Sequence, residues 1–309
     1  MKIAYVGVLL VAVSAFAKDR PTYPMNVAAP GVKSITLDVQ EGDLVVRGDP
    51  AATSIQMKVS IDRFFLFKLG EEGILKKLIT VSGENTPQIT IRTDIRKSAT
   101  NWGRAEYPID FEVVVPASAA LHVRDTSGVI EISAMNGAVE IHDTSGTLAV
   151  RRIAGPLTID KESGDIRVAD VPNAVKIASR SGQMRLERVG ELEVTSSDGN
   201  LDVAGARAAR LTNKGGNITV KDVKGDLVID DDSGEIDVRD VAGRVTIRDT
   251  SGQIRASNTG PMVVDDTSGD VVVNGAASLE VRAKEGGQVK VSAMKGDVHV
   301  PPGITLSRK

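Results

Sequence analysis

The chain has 309 residues, a formal net charge of -3 and aromatic residues at only 3% of its length. Mild, mixed charge supplies neither the basic stripe of a nucleic-acid binder nor a polybasic membrane segment. The absence of cysteine excludes disulfides, thiolate metal sites, a cysteine nucleophile and a lipoprotein anchor, and a total of three histidines (His122, His142, His299) argues against a histidine-built metal or catalytic centre.

Lys2, the apolar run Ile3 to Val13 and the end Ser14-Ala15-Phe16-Ala17 describe a secretory signal peptide over residues 1–17. Its apolar part is too short to span a bilayer. The expected mature protein begins near Lys18 and is exported to the periplasm or the cell surface. No later segment is long and apolar enough to be a transmembrane helix.

Residues 18–120 read as a β-rich cap region containing one short helix. The alternation Ile35-Leu37-Val39, the return Leu44-Val45-Val46 and the stretches Ile55–Val59, Gln88–Arg92 and Tyr107–Val115 are strand-like. Glu41-Gly42-Asp43-Leu44-Val45-Val46 is a faint version of a later motif and marks a candidate first coil. Glu71 to Ile79 has the pattern of two helical turns. All nine aromatic residues lie at or before Phe111. Phe64, Phe65, Phe67 and Trp102 form a candidate partner-binding patch. The competing expectation is that they cover the first coil, because the end of a strand stack is an open edge.

From residue 121 to 300 the chain repeats. Asp125-Thr126-Ser127-Gly128-Val129-Ile130-Glu131-Ile132 returns as DTSGTLAV, KESGDIRV, SRSGQMRL, SSDGNLDV, NKGGNITV, DDSGEIDV, DTSGQIRA, DTSGDVVV and KEGGQVKV. The marker glycines fall at 128, 146, 164, 182, 199, 216, 234, 252, 269 and 287, a spacing of 17 or 18. Apolar residues two and four positions after each glycine (Ile130/Ile132, Leu148/Val150, Ile236/Val238) give the period of a half-buried strand. A weaker copy sits halfway through each unit, as in Asn136-Gly137-Ala138-Val139-Glu140-Ile141. The fold expected is all-β: a single-stranded parallel β-solenoid of about ten coils with two short strands each. At the parallel-strand spacing, ten coils make a rod of roughly 48 Å. Pro301-Pro302-Gly303 is expected to stop the last strand and leave residues 301–309 as a tail.

The Asp-Thr-Ser-Gly turns hold turn-forming residues before a glycine that can take positive φ. Their aspartates are expected to be solvated. Calcium-binding β-rolls place the carboxylate two residues after glycine, where this chain has Ile130, Leu148 and Ile166, so no metal and no cofactor is expected. The likeness to the aspartic-protease signature lacks the paired carboxylates of a cleft. Asp230-Asp231-Asp232 offers acid pairs on paper, but sugar-binding grooves favour aromatic platforms and the repeats have none. No catalytic site is expected.

The signal peptide, the junction from Asp110 to Gly128 (DFEVVVP to LHVRDTSG) and the repeated SGxIxV turns together resemble the bacterial putative adhesin family, exported β-solenoid domains of unknown function related to head-GIN putative autotransporter adhesins. The resemblance covers roughly residues 31–300. It implies an adhesive cell-envelope protein, with no catalytic residues to carry over. The polar, mixed-charge outer columns (Glu131, Arg167, Arg185, Asp202, Asp237, Arg255, Lys290) lead to the expectation of a non-enzymatic solenoid that contacts a protein or glycan of the envelope. Two rival readings are a periplasmic scaffold or stress module docking a protein through the N-terminal region, and a β-helical polysaccharide-active enzyme.

Overall fold

The structure is a computed structural model, and it describes residues 20–61, 78–93, 108–283 and 285–308. All extended elements are β-strands, in two parallel series that face each other across an aliphatic interior. The helix expected over Glu71–Ile79 lies outside the described residues except for Leu78 and Ile79.

Nine strands build the N-terminal end: β1 (Thr22–Ala28), β2 (Ser34–Asp38), β3 (Leu44–Asp49), β4 (Ser54–Ser60), β5 (Ile79–Ser82), β6 (Gln88–Thr93), β7 (Asp110–Pro116), β8 (Ala120–Asp125) and β9 (Val129–Met135). Their spatial order is not their chain order. In the first series β2 lies between β6 and β8, with Ile35 opposite both Ile89 and Leu121. In the second, β3 lies between β7 and β9, with Leu44 opposite Phe111 and Ile130. The candidate first coil at Glu41 is therefore a true coil, but β6 and β7 stack outside it. At this end β1 runs antiparallel to β4, β4 antiparallel to β7, and β5 antiparallel to β6.

Beyond β9 the repeat governs. Val139–Asp143, Leu157–Lys161 and Val175–Ser181 extend the first series; Thr147–Ile153 and Ile166–Val171 extend the second. Register follows the repeat, so like residues stack: Ile218 on Ile236, Ile236 on Ile254, Ile254 on Val271. One coil cannot enclose its own apolar residues, and this stacking is what removes them from water. Leu227, Ile229, Ile236, Val238 and Val241 of a single coil are all buried.

The chain after Pro301-Pro302-Gly303, expected as a tail, instead forms one more strand, Thr305–Arg308. It pairs with Gln288–Ser292, Val289 opposite Leu306. Gly303, at φ +87°, makes the turn, and Ile304 and Leu306 carry the apolar alternation onward.

Each coil has a second special position, six residues after the marker glycine, where the backbone is left-handed. Ala134, Arg152, Asp170, Arg188, Asp222, Asp240, Asn258 and Ala293 all have φ between 49° and 60°, with glycine at 205 and 275. This bend joins the second strand to the arc. Glycine, asparagine and aspartate, which tolerate this conformation, fill the position at Asp170, Gly205, Asp222, Asp240, Asn258 and Gly275, whereas Ala134, Arg152, Arg188 and Ala293 adopt it without such a preference.

Candidate functional site

The four residues of the Asp-Thr-Ser-Gly turn do four different things. The glycine is required twice over. Gly252 has φ +146°, and a Cβ there would lie 1.8 Å from the carbonyl oxygen of Gly234 in the preceding coil. The same close approach recurs along the glycine column from Gly42 to Gly287. The serine hydroxyl donates to a carbonyl of the preceding coil: Ser145 to Thr126 at 3.0 Å, Ser233 to Lys214 at 3.0 Å and Ser268 to Thr250 at 3.1 Å. Thr126, Thr144 and Thr250 point outward and are exposed.

The first residue of the turn departs from expectation. The aspartates do not lie in solvent. Asp125, Asp143, Lys161, Ser179, Ser196, Asn213, Asp231, Asp249 and Asp266 are all buried, none more than 8% exposed. They form one interior column, because Val139-Ile141-Asp143 and Val245-Ile247-Asp249 simply continue the inward alternation of their strands. The turn chemistry foreseen for them coexists with burial: the Ser145 amide donates to Asp143 Oδ1 at 3.1 Å and the Ser251 amide to Asp249 Oδ1 at 3.2 Å.

Charge in the column is unevenly compensated. Lys161 Nζ donates to Asp143 Oδ2, and both side chains are fully buried. Burial pushes the Asp143 carboxyl upward, against the pull of Lys161. Asp125, one coil earlier, accepts the Thr126 amide through Oδ1 at 2.8 Å, while its buried Oδ2 has no hydrogen-bond partner among the described residues. Burial, together with the Asp143 carboxylate, pushes Asp125 up to about 7. Asp231 is likewise pushed up to about 7, by burial first and then by the Asp249 carboxylate. The amides of Asp232 and Ser233 lie near Asp231 and oppose the shift, but fall short of hydrogen-bond geometry with either oxygen.

A groove of about 490 Å³ opens beside the charged stretch, walled by residues of both signs, including Arg124, Asp160, Glu162 and Arg180. His142 and Asp160, which line it, belong to a surface chain of residues set one repeat apart. His122 Nδ1 lies 2.9 Å from Glu140 Oε2, His142 Nε2 lies 2.9 Å from Glu140 Oε1, and His142 Nδ1 lies 3.5 Å from Asp160 Oδ2. The hydrogen bonds from His142 and His122 hold Glu140 below the usual carboxylate range. Strand register explains the meeting, since His122 stands directly opposite Glu140. Among the described residues, no three histidine or carboxylate side chains are grouped so as to hold a metal ion.

The acid run at Asp230-Asp231-Asp232 does not converge. Asp230 pairs outward with Arg248 at 2.9 Å, Asp231 points into the column, and Asp232 is exposed. Phe64, Phe65, Phe67 and Trp102, the candidate partner-binding residues, lie outside the described residues. Phe111, the last aromatic of the chain, is buried in the core. Among the described residues no helix is long and apolar enough to cross a membrane.

No curated protein matches the chain. Among solved structures, a putative cell adhesion protein from Clostridium sporogenes is 10% identical, covering 65% of this chain and 100% of that one, with a TM-score of 0.36. A putative adhesin from Parabacteroides merdae is 11% identical over 91% of this chain and 98% of its own, at 0.34. A putative lipid binding protein from Parabacteroides distasonis is 10% identical over 92% and 98%, at 0.30. Scores and identities this low carry no functional argument. The family model described as Toastrack DUF4097 matches residues 170–307, so the C-terminal part of the solenoid is similar to a toastrack domain.

Proposed function

We propose that this protein is an exported, non-catalytic rod whose outer sheet faces make broad, adhesin-like contacts with protein or glycan in the bacterial cell envelope. The observation that carries this reading is the alternation of charge along those faces. Arg248 sits 2.9 Å from Asp230 and 4.0 Å from Asp265, Arg255 lies 2.8 Å from Glu235, and Lys290 lies 3.2 Å from Asp270. Exposed pairs of this kind are screened by solvent and add little to folding. Their use is a flat, mixed-charge surface, suited to wide and salt-sensitive contact rather than to enclosing a small substrate. The diverging side chains of Asp230, Asp231 and Asp232 fit a non-catalytic role.

Protease shaving of intact source cells tests placement: digestion without lysis is expected of a surface adhesin, and protection until lysis overturns that placement. Purified protein mixed with isolated envelopes tests contact. Binding that weakens as salt rises is expected. No binding at low salt overturns the contact role, and turnover of envelope glycans overturns the non-catalytic one.

A further inference from the structure

The interior column contains more carboxylates than ammonium groups. In the run Asp125, Asp143, Lys161, one lysine serves two carboxylates and is already engaged by Asp143. The coil before Asp125 supplies buried Val39 at this position; the charged groups that weigh most on Asp125 are Asp143 and then Lys161, while Arg124, His142, Asp160, Glu162 and Arg180 line the groove that Asp125 borders. In the second run Asp231 stands between Asn213 and Asp249. The charged groups acting on Asp231 are Asp249 and Asp232. Asp266 follows Asp249, and the sequence places Lys284 at the next repeat position, outside the described residues. Elsewhere the column is filled by neutral polar residues. Asn213 shows how such a group is accommodated, its Nδ2 donating to the Gly215 carbonyl at 2.7 Å.

We propose that Asp125 and Asp231 form a proton switch inside the rod: as neutral acids they lie in the column, and on ionising they drive their own turns outward, opening those two coils while the rest of the stack holds. An ionised carboxylate without a partner is expensive to keep in an aliphatic interior, whereas the turn lies at the rod's surface and can carry it into water. Opening the Asp231 turn breaks the Ser233 bond to the Lys214 carbonyl and disturbs the contact between Gly234 and Gly216.

The linkage has one sign. The closed turn holds its proton up to about 7, while an open, solvated turn releases it near the ordinary aspartate value of 3.8. Closure is therefore tightest below that lower value and is lost progressively as pH rises through the window to about 7, after which no further change occurs. With one proton involved, the opening constant rises about tenfold per pH unit inside the window.

Hydrogen exchange at pH 5 and pH 7, corrected for intrinsic chemical exchange, tests this on the intact chain. Peptides covering 226–240 are expected to open about fiftyfold more often at pH 7, where half of the closed form is itself ionised. In Asp231→Asn that dependence disappears from 226–240 but persists around Asp125; Asp125→Asn gives the reverse. Asp231→Ser is a second neutral variant, since serine fills the column at Ser179 and Ser196. Opening of 226–240 that is independent of pH in the wild type, or equally pH-dependent in both neutral variants, overturns the proposal.

Discussion

Replacing Gly234 by alanine addresses the contact on which the stack depends. Gly234 has φ +127°, and an added Cβ would lie 2.1 Å from the Gly216 carbonyl oxygen and 2.8 Å from its carbon. Neither neighbour is a flexible side-chain end; both belong to the backbone of the coil beneath. Holding alanine at such a φ costs about 1–3 kcal/mol. Relieving the overlap by separating two coils at the turn removes coil-to-coil hydrogen bonds worth about 1 kcal/mol each, among them the Ser233 rung. The combined loss is about 4 kcal/mol. Gly215 is the matched control, since its φ is not left-handed and an added Cβ finds nothing nearer than the Asp198 Oδ1 atom at 3.6 Å. Gly215→Ala is therefore expected to be neutral, or to gain up to about 1 kcal/mol from a less flexible unfolded chain. Urea unfolding followed by far-ultraviolet circular dichroism reads both. Because stacked repeats can melt in parts, the transition assigned to the central coils is the one to compare. A Gly234→Ala midpoint equal to wild type, or a Gly215→Ala midpoint lowered as far, would refute the close-contact argument.

Lys161→Met leaves Asp143 buried without its ammonium partner and is expected to lower stability by about 3–5 kcal/mol. Adding Asp143→Leu should recover most of that loss in the same urea assay, and a harmless single variant would show that the pair is not the partner Asp143 needs. Gly215→Ser supplies the hydroxyl missing from the serine ladder in that coil, opposite the Ser197 carbonyl by repeat position. It is expected to add about 1 kcal/mol, and a destabilised variant would mean that the ladder is incidental to the other coils.

The coils were legible in the sequence because spacing and alternation agree. A glycine every 17 or 18 residues, with apolar residues two and four positions later, dictates that Leu148 stacks on Ile166 and Ile236 on Ile254. The column is not what turn chemistry alone predicts, because aspartate in a turn ordinarily faces solvent. The contrary signal was present: Asp143 continues the alternation Val139-Ile141, and lysine, serine and asparagine take the same place in other coils. Polarity alone misleads where a turn bends inward. The N-terminal strand order was beyond reach for a different reason, since β2 resembles the repeats but nothing local says that its partners are β6 and β8. The meeting of His122, Glu140 and His142 needed the register, which the repeat supplies but which only matters once the outer face is followed residue by residue. The left-handed bend is not signalled by Ala134 or Arg188 themselves; its sign lies in the glycine, aspartate and asparagine that hold the same place at Gly205, Asp222, Asp240, Asn258 and Gly275.

That non-sequential order also dictates how the rod must assemble in time. Strands in the regular repeats find partners a single coil away, so a short length of chain suffices to start and extend the stack. The N-terminal coils have no such shortcut: β2 stays without its inner neighbour until Leu121 arrives, and β3 without its own until Ile130 does. Non-local closures of this kind are slow. Growth therefore begins among the repeats and ends at the N terminus, so the first part of the chain to be made is the last to be locked. Until then it presents unpaired strand edges, and the interval before closure is when the chain is most exposed to pairing with a neighbour instead of with itself.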